Sequence, residues 1–412
     1  MSASGKCAAD GLPCSSRPSG PWTRSVPGGA LPAWLPSLFL FVLGWAILTG
    51  GCASKPAPSL ERHEFSEPQM GIPFRIVLYA PNPASARASA RAAFDRIAAL
   101  NLVLSDYEDE SELTRLNRTA GSGRAVAVSE DLWRVLSRAQ EMARRTGGAF
   151  DVTVGPCVQL WRRARRQRAW PEASRLDAAL EAVGFQHLEL DPLRRTALLR
   201  RPRMRLDFGG IGKGYALQEA LETLEARGVR RALVTGGGDM VAGEPPPGKA
   251  GWQIEIAPLD ATNAPPARVV LLRRQALATS GDLFQRFEFA GRRYSHIVNP
   301  RTGIGLTDHS LVTVIARDGM TADALSTAVS VLGPDAGMRL VDRERGAAAQ
   351  VVREVDGILE RRVSRRFRAE EKGGENALAP APLVGRVTAA LAGLRPPAAV
   401  VFLFMRTRIG RS

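Results

Sequence analysis

The spacing of apolar and polar residues changes several times along the chain, which predicts mixed helices and strands between Gln69 and Phe367. Residues 84–105 repeat apolar side chains at helical intervals, as an amphipathic helix does. Ser129 precedes a second helical pattern that stops at a glycine pair, so we predict a helix capped at both ends. Branched side chains alternate with others from Gln69 onward, and this pattern predicts the first strand of the folded region.

The second half of the chain also combines segments with helical periodicity and segments with strand periodicity. Residues 205–228 are predicted to form a strand, a glycine-rich turn and a helix, and residues 149–156 are predicted to be extended. A strand is predicted at 311–316, ahead of a helix near Thr321, and Asp356–Gly357 is a hairpin-turn signal. Helices mixed with hairpins predict an α+β fold, with two lobes closing over a cleft.

The composition is that of a basic globular protein. The 412 residues include 56 Lys and Arg against 41 Asp and Glu, which gives a formal net charge of +15. Such a charge permits nucleic-acid binding. The aromatic residues are few, however, and they do not alternate with basic runs such as Arg162–Arg168, and no nucleic-acid-binding motif is present. We therefore predict no nucleic-acid partner and a general attraction to phosphate ligands or anionic membranes.

An apolar segment near the N-terminus predicts export. Residues 35–48 are almost entirely apolar, a length typical of a signal peptide rather than of a membrane span. The segment ends in LTGGC, which resembles a bacterial lipobox, so we predict a lipid on Cys52, with an uncleaved anchor as the alternative. The predicted organisation is a leader at 1–52, a polar tether at 53–68, a folded domain at 69–368, and a linker and tail without an assigned role at 369–412.

A histidine and a helix with oxygen donors lie close together in the sequence. Asp323 and Thr327 are four residues apart, so on a helix their oxygens face the same side. Mg²⁺ accepts such ligands, usually with a backbone carbonyl and a phosphate. His296 lies in a polar turn, which suits a general base better than a core position. Taken singly, each of these residues is more often structural, because acids also cap helices and histidines also pack or hydrogen-bond.

Glycine-rich turns supply further candidates for ligand binding. Lys213 lies in the turn DFGGIGKGYA before a predicted helix, where free N–H groups and the helix dipole attract phosphate. This turn is neither a Walker A loop nor a dinucleotide-binding fingerprint. The sequence TGGGD at 235–239 is either a tight turn or a turn that faces a ligand. Asp151, in the sequence AFD, is either an ordinary turn residue or a hydrogen-bond acceptor for a base or ribose.

Eight motifs occur in a fixed order along the chain: QMGIPFRI, SDYEDESELTRLN, TGGAFDVTVGP, LDFGGIGKGYA, GGGDMVAGE, ATSGD, YSHIVNPRTG and ADALSTA. Together they resemble the ApbE family of flavin transferases, once described as thiamine-biosynthesis lipoproteins. The resemblance covers residues 70–367, nearly all of the predicted folded region. One glycine turn is common in proteins, whereas this many collinear motifs are specific to a family. The resemblance implies the same α+β fold, a single domain of two lobes around a nucleotide-binding cleft.

The resemblance also implies an activity, an Mg²⁺-dependent FAD:protein FMN transferase. Members of the family cleave FAD, release AMP and attach the FMN half through a phosphoester to a threonine of an acceptor protein. Their acceptors are typically subunits of membrane redox complexes or related flavoproteins. The implied partners are thus FAD as substrate, such an acceptor, and the membrane. The implied location is the bacterial cell envelope, on the periplasmic side of the inner membrane, with the protein held as a lipoprotein.

Roles of single residues follow from the resemblance by motif. It implies that FAD is held by Met70 and Tyr107 at the flavin, and by Ala149, Phe150, Asp151, Asp207, Lys213 and Ile297. It implies Mg²⁺ binding by the Gly210 carbonyl, the Asp323 carboxylate and the Thr327 hydroxyl, with His296 as the general base that deprotonates the acceptor threonine. Two alternative functions stay open. One is an FAD pyrophosphatase, in which water replaces the acceptor, and the other is a flavin-binding lipoprotein without catalysis.

Overall fold

The computed structural model describes residues 59–256, 259, 268–281 and 286–368. The predicted leader, the predicted tail and residues 53–58 of the predicted tether lie outside these ranges, and so does Asp282 of the ATSGD motif. Within the described residues, no helix has both the length and the apolar composition needed to cross a membrane. The described residues belong to a single compact unit, and its division into two lobes stays a prediction.

The described elements alternate along the chain. The helices are α1 (Pro83–Leu104), α2 (Glu112–Asn117), α3 (Glu130–Arg145), α4 (Gly155–Gln167), α5 (Ala173–Leu180), a 3₁₀ turn (Phe185–His187), α6 (Gly212–Ala226) and α7 (Gly319–Arg343). The strands are β1 (Glu61–Gln69), β2 (Ile72–Ala80), β3 (Val126–Ala127), β4 (Leu188–Asp191), β5 (Thr196–Leu199), β6 (Ala232–Gly236), β7 (Asp239–Ala242), β8 (Trp252–Ile256), β9 (Arg268–Leu272), β10 (Gln275–Gly281), β11 (Arg286–Phe289), β12 (Arg292–Ser295), β13 (Ser310–Ala316), β14 (Ala348–Val355) and β15 (Ile358–Val363).

One large antiparallel sheet organises the fold. Its eight strands follow the order β1-β2-β6-β7-β10-β13-β14-β15. Three small sheets accompany it: β3-β5-β4, the pair β8-β9 and the hairpin β11-β12. An antiparallel sheet with helices packed against it is an α+β architecture, so the predicted fold class is confirmed.

Both faces of the large sheet are covered, and β2 shows how the sequence achieves this. Phe74 and Ile76 belong to a buried cluster that also contains residues of the helices α1, α6 and α7. Val77 points to the opposite face and belongs to a second buried cluster with Trp252 of β8. Successive side chains of a strand point to opposite faces, so a strand covered on both sides is mostly apolar. The apolar run in β13 has the same cause, because every residue of that strand is buried, including Ser310 and Thr313.

Several predicted elements are confirmed. Helix α1 occupies the predicted range within a residue at either end. Ser129 caps α3, because its side-chain oxygen accepts a hydrogen bond from the Leu132 N–H at 3.3 Å. Strands β14 and β15 form the predicted hairpin, in which Asp356 and Gly357 make the turn with positive φ angles of 51° and 77°.

Three local predictions are wrong. Residues 61–68 were predicted to be tether but belong to β1, an edge strand whose exposed polar residues alternate with half-buried ones because only one face is covered. Residues 149–156 are not extended, since α4 begins at Gly155 with Pro156 in its first turn, a position that suits proline. Residues 205–207 do not form a strand, and Arg205 makes only an isolated bridge to Val154.

Helices α6 and α7 approach each other so closely at their N-termini that both need glycine there. A Cβ atom added to Gly214 would lie 2.1 Å from the carbonyl oxygen of Gly319, and one added to Gly319 would lie 2.1 Å from that of Gly214. Real Cβ atoms do not approach backbone oxygen at this distance. The contact therefore fixes the start of α6 against the start of α7, which brings two distant parts of the chain together.

Replacing Gly214 with alanine is expected to destabilise the protein by about 2–3 kcal/mol, because the methyl group must push two helix backbones apart. Chemical denaturation monitored by circular dichroism measures this change. Gly212→Ala is the matched control on the same helix turn, since a Cβ at Gly212 would lie 3.4 Å from the Phe208 Cβ, an ordinary contact. Equal stability of the two variants would show that the helices separate without cost.

Candidate active site

The glycine turn that precedes α6 is the backbone of the candidate site. The turn is stabilised by Asp207, whose Oδ1 accepts a hydrogen bond from the Gly209 N–H at 2.8 Å. Helix α6 then begins at Gly212, and its N-cap residue, Ile211, has no side-chain group that caps the helix. Lys213 is thereby placed in the first turn of a helix, where the helix dipole and the lysine charge both favour an anion.

The Lys213 side chain lies against two buried carboxylates, which come from different parts of the fold. Its Nζ contacts the Oδ2 of Asp239, at the start of β7, and lies 3.6 Å from the Oδ1 of Asp323, on α7. The Lys213 side chain keeps 30% of its surface exposed, whereas those of Asp239 and Asp323 keep 2% and 3%. The lysine therefore separates two buried acids from the solvent.

The electrostatic environment of this cluster is unusual for a carboxyl group. Burial, with a contribution from Asp239, raises the pKa of Asp323 to about 7, although Lys213 and the Gly214 N–H act in the opposite direction. Burial lowers the pKa of Lys213 while the two carboxylates raise it, and the carboxylates prevail, so the ammonium stays charged. Asp323 is consequently a group whose charge depends on a cation close to it.

The three residues predicted to bind a metal converge beside this cluster. The Oδ2 of Asp323 accepts a hydrogen bond from the Gly214 N–H at 3.1 Å, which ties α7 to the first turn of α6. Gly210 faces Thr327, because a Cβ at Gly210 would lie 2.7 Å from the Thr327 Oγ1. The structure therefore brings the glycine turn, the Asp323 carboxylate and the Thr327 hydroxyl to one place.

A pair of serines supports α7 on the sheet side of the same region. The hydroxyl oxygens of Ser280, on β10, and Ser326 lie 2.7 Å apart, and both residues are buried. Ser326 also donates to the carbonyl oxygen of Asp323 at 2.8 Å. These contacts fix the turn of α7 that carries Asp323.

The turn between β1 and β2, which contains Met70, is followed by Ile72, and Ile72 lies close to the turn before β7. Met70 and Gly71 form this turn with φ angles of 49° and 74°. A Cβ at Gly237, in the turn between β6 and β7, would lie 2.7 Å from the Cδ1 of Ile72 and 3.7 Å from the Cδ of Lys213. The two hairpin turns and Lys213 are thus neighbours. Glycine at position 237, with a φ angle of 61°, is what allows this close approach.

A second group of predicted residues gathers around Arg162 of α4. Its guanidinium donates to the Oδ2 of Asp207 at 2.7 Å and also contacts the Oδ2 of Asp106. The same guanidinium lies 4.4 Å from the ring centroid of Tyr107, whose side chain is 74% exposed. Tyr107 and Asp207, which are a hundred residues apart in sequence, are joined by one arginine. Burial raises the pKa of Asp207, and the Asp106 charge adds to this shift.

Replacing Arg162 with methionine is expected to destabilise the protein by about 2–3 kcal/mol, below the full effect for a buried ion pair because the arginine side chain is 21% exposed. Methionine retains the aliphatic stem and removes the charge that balances Asp106 and Asp207. Urea denaturation of Arg162→Met, with the exposed neighbour Arg163→Met as control, tests this. If both variants unfold at the same urea concentration, the ion pairs contribute nothing to stability.

The AFD sequence lies inside the protein and holds the local chain path. Ala149 and Phe150 are 1% and 3% exposed. The Oδ1 of Asp151 accepts hydrogen bonds from the Thr153 N–H and hydroxyl at 2.8 and 2.7 Å, and its Oδ2 accepts one from the Phe185 N–H at 2.8 Å. Asp151 thus positions the turn before α4, and its predicted contact with FAD stays a prediction.

The loop that carries His296 and Ile297 connects β12 to β13 and is held by backbone hydrogen bonds. The Ser295 N–H donates to the Leu306 carbonyl at 2.7 Å, and the Leu306 N–H donates to the Ile297 carbonyl at 2.9 Å. His296 lies between the two paired residues Ser295 and Ile297, and it is exposed. The Trp161 indole N–H donates to the Gly303 carbonyl at 2.7 Å, which fastens the loop to α4.

Helix α4 therefore links two parts of the candidate site through adjacent residues. Trp161 holds the histidine loop, and Arg162 holds Asp207 and Tyr107. In the sequence, Arg162 is recognisable only as part of a basic run, and Asp239 only as part of a turn. Pro156 followed by apolar residues at helical spacing signals α4. No local signal indicates that Asp239 faces Lys213.

The fold and the site together define an α+β protein with a glycine turn, a lysine and buried carboxylates suited to a phosphorylated ligand and a cation. A sequence model of the ApbE family matches residues 70–351. The chain therefore belongs to the ApbE family, and the resemblance predicted from its motifs is confirmed. Its relatives are named as transferases, and the chain is an enzyme of that class.

Individual relatives match over most of their length. A Klebsiella pneumoniae (strain 342) protein named FAD:protein FMN transferase is 32% identical over 332 residues, covering 77% of this chain and 93% of the relative. A Treponema pallidum (strain Nichols) protein of the same name is 31% identical, covering 76% and 91%. The solved flavin transferase ApbE from Vibrio cholerae superposes with a TM-score of 0.68 at 26% identity, covering 76% of this chain and 99% of that one. The flavinyl transferase ApbE of Pseudomonas stutzeri gives a TM-score of 0.67 at 29% identity, covering 76% and 97%.

Proposed function

We propose that this protein is an Mg²⁺-dependent FAD:protein FMN transferase, which attaches FMN to a threonine of an acceptor protein and releases AMP. The observation that carries the proposal is the convergence of Lys213, Asp323 and Thr327 at the glycine turn before α6. The name shared by the relatives, FAD:protein FMN transferase, supports the choice of substrate.

The donor atoms at this convergence fit Mg²⁺. Asp323 supplies a buried carboxylate, Thr327 a hydroxyl, and Gly210 a backbone carbonyl, and hard oxygen ligands of this kind are those that Mg²⁺ takes. The raised pKa of Asp323 agrees with such a ligand, since a carboxylate buried at this depth gains most from a dication. Mg²⁺ bound by these three residues would neutralise charge on the FAD pyrophosphate and assist the departure of AMP.

The remaining tasks fall to side chains of the chain itself. Lys213 and the N-terminus of α6 bind the pyrophosphate, because a lysine charge and the positive end of a helix dipole both attract phosphate oxygens. Tyr107 offers an exposed ring for the flavin, and Met70 lies in the turn between β1 and β2. Asp207 shapes the glycine turn through its hydrogen bond to Gly209, and Arg162 keeps it charge-balanced.

His296 prepares the nucleophile in this proposal. A threonine hydroxyl is a weak nucleophile at neutral pH, and a neutral imidazole that accepts its proton makes it reactive. The exposed position of His296 supports the role, because an acceptor protein can only reach a base at the surface. The threonine oxygen then attacks the phosphorus next to the riboflavin portion, and the bond between that phosphorus and the bridging oxygen of the pyrophosphate breaks. The second phosphate, with the bridging oxygen, leaves as part of AMP.

The proposal is tested with the purified enzyme, FAD, Mg²⁺ and a threonine-containing acceptor peptide. Mass spectrometry should detect the peptide with one FMN added, and chromatography should detect AMP in equal amount. A peptide with valine in place of the threonine should stay unmodified. Release of free FMN at the same rate without any peptide would instead indicate the pyrophosphatase, and bound FAD with neither product would indicate a non-catalytic flavin carrier.

We also propose that the acceptor is a subunit of a membrane redox complex or a related flavoprotein, and that the enzyme works in the cell envelope as a lipoprotein. The LTGGC sequence before the folded domain supports this location. Mass spectrometry of the mature protein tests it, because an N-terminus at a lipid-modified Cys52 is required. A chain that keeps its first residues would exclude lipidation there.

A further inference from the structure

Asp239 is the buried acid of the site to which the proposed mechanism gives no task. It is 2% exposed and lies at the first position of β7. Its Oδ1 accepts a hydrogen bond from the Thr279 N–H of β10 at 3.0 Å, and its Oδ2 contacts the Nζ of Lys213. The backbone of the central sheet therefore fixes one oxygen of Asp239, and the other oxygen is directed at the lysine.

We propose that Asp239 is a positioning residue that holds the Lys213 ammonium away from Asp323, so that the Asp323 carboxylate is available to a divalent cation. The inference rests on the proposed cation site. Lys213 contacts Asp239 directly, whereas its Nζ is 3.6 Å from the Oδ1 of Asp323. The ammonium thus lies between two carboxylates and is hydrogen-bonded to the one that is not a proposed metal ligand.

Charge balance explains why this arrangement matters for a cation. Asp239, Asp323 and Lys213 together carry a net charge of −1 when both acids are ionised, so the group still attracts a dication. Without the Asp239 charge, Asp323 is the one buried carboxylate left beside the Lys213 ammonium among the residues that the structure describes, and the net charge of the group changes from −1 to zero. A dication must then displace the lysine from its own ligand. We therefore expect Asp239 to set cation affinity without touching the cation.

The substitution Asp239→Asn separates this role from a structural one. Asparagine keeps an oxygen that accepts the Thr279 N–H bond and has nearly the same volume. In place of the oxygen directed at Lys213 it has an uncharged NH₂ group, which cannot accept a hydrogen bond from the ammonium. If Asp239 served only to join β7 to β10, this variant would bind cations as the unmodified protein does. Lys213→Met in addition removes the competing ammonium and returns the net charge of the group to −1.

The experiment measures Mn²⁺ binding by electron paramagnetic resonance, first without nucleotide and then with FAD, on the folded full-length protein. We expect Asp239→Asn to weaken Mn²⁺ binding by about tenfold or more, because the lysine then competes for Asp323. Without nucleotide, the double variant Asp239→Asn/Lys213→Met should bind Mn²⁺ within about threefold of the unmodified protein, since the charge balance is restored. This recovery by a second substitution is what a purely structural defect would not produce.

A matched control is Asp342→Asn at the end of α7. Asp342 also accepts a backbone N–H, from Arg365 at 2.9 Å, and also pairs with a cation, the Arg365 Nε at 3.1 Å. The Asp342→Asn variant should bind Mn²⁺ with the same affinity as the unmodified protein. Unchanged affinity in Asp239→Asn, or weakened affinity that the double variant does not recover, overturns the inference and leaves the proposed cation site intact. The Asp323→Ala variant tests the cation site separately, because it should lose Mn²⁺ binding. If this variant binds Mn²⁺ normally, both the proposed cation site and the inference about Asp239 are wrong.

Discussion

Replacing Asp323 with alanine is expected to lower the rate of Mg²⁺-dependent FMN transfer by about 10³-fold or more, because a metal ion that neutralises a reacting phosphate contributes several kcal/mol. Asp323 is the only carboxylate among the three proposed ligands, so its removal leaves the cation with neutral donors. The binding of FAD should change far less, since Lys213 and the N-terminus of α6 are retained. Transfer to a threonine peptide and quenching of flavin fluorescence measure the two effects separately.

A loss of activity in Asp323→Ala must be distinguished from a loss of folding. Asp323 also accepts the Gly214 N–H bond, so the thermal stability of the variant must be measured beside its activity. Asp335→Ala is the control, because this residue lies on the same helix beyond its bend at Gly333 and is exposed. It should keep full activity. Transfer that survives Asp323→Ala in a folded protein would show that the metal assignment is wrong.

Replacing His296 with alanine is expected to reduce transfer to the threonine by about 10²–10⁴-fold, the usual contribution of a general base. FAD and cation binding should persist, because His296 lies on a separate loop fastened to α4 rather than on the glycine turn or α7. The rate of peptide labelling at saturating FAD, together with the dissociation constant of FAD, distinguishes a lost base from a lost binding site.

The same variant separates the competing functions. Substituting His309, which lies 3.6 Å from Glu354 at a different part of the fold, should leave labelling unchanged and serves as the histidine control. A transferase should lose labelling in His296→Ala and keep FAD. A flavin carrier would bind FAD equally in all three proteins and label no peptide. Full labelling by His296→Ala would eliminate this histidine as the base.

Much of the site was predictable because its signals are local. Asp323 and Thr327 are one helical turn apart, so any sequence that forms a helix there places both oxygens on one side. Lys213 follows a glycine turn, and the turn and the helix start are encoded in neighbouring residues. The order of the motifs then predicted the family, which the matches to known proteins confirm.

Other features of the site were missed because no short stretch of sequence contains them. In the sequence Arg162 is only one member of a basic run, yet in the fold it lies between Asp106 and Asp207, which come from two other segments. Asp239 resembled an ordinary turn residue until the sheet placed it against Lys213. The edge strand β1 resembled a tether because its polar residues satisfy one exposed face.

The sequence by itself determined the class of fold, the helices and strands with clear periodicity, and the chemical types of residue available for phosphate, cation and proton transfer. These follow from interactions between neighbours in the chain. Only the tertiary structure decided that the glycine turn, α7 and β7 meet at one point, and that α4 connects this point to the histidine loop. Contacts over such separations depend on how the sheet and helices pack, including a glycine contact between Gly214 and Gly319 that no local pattern reveals.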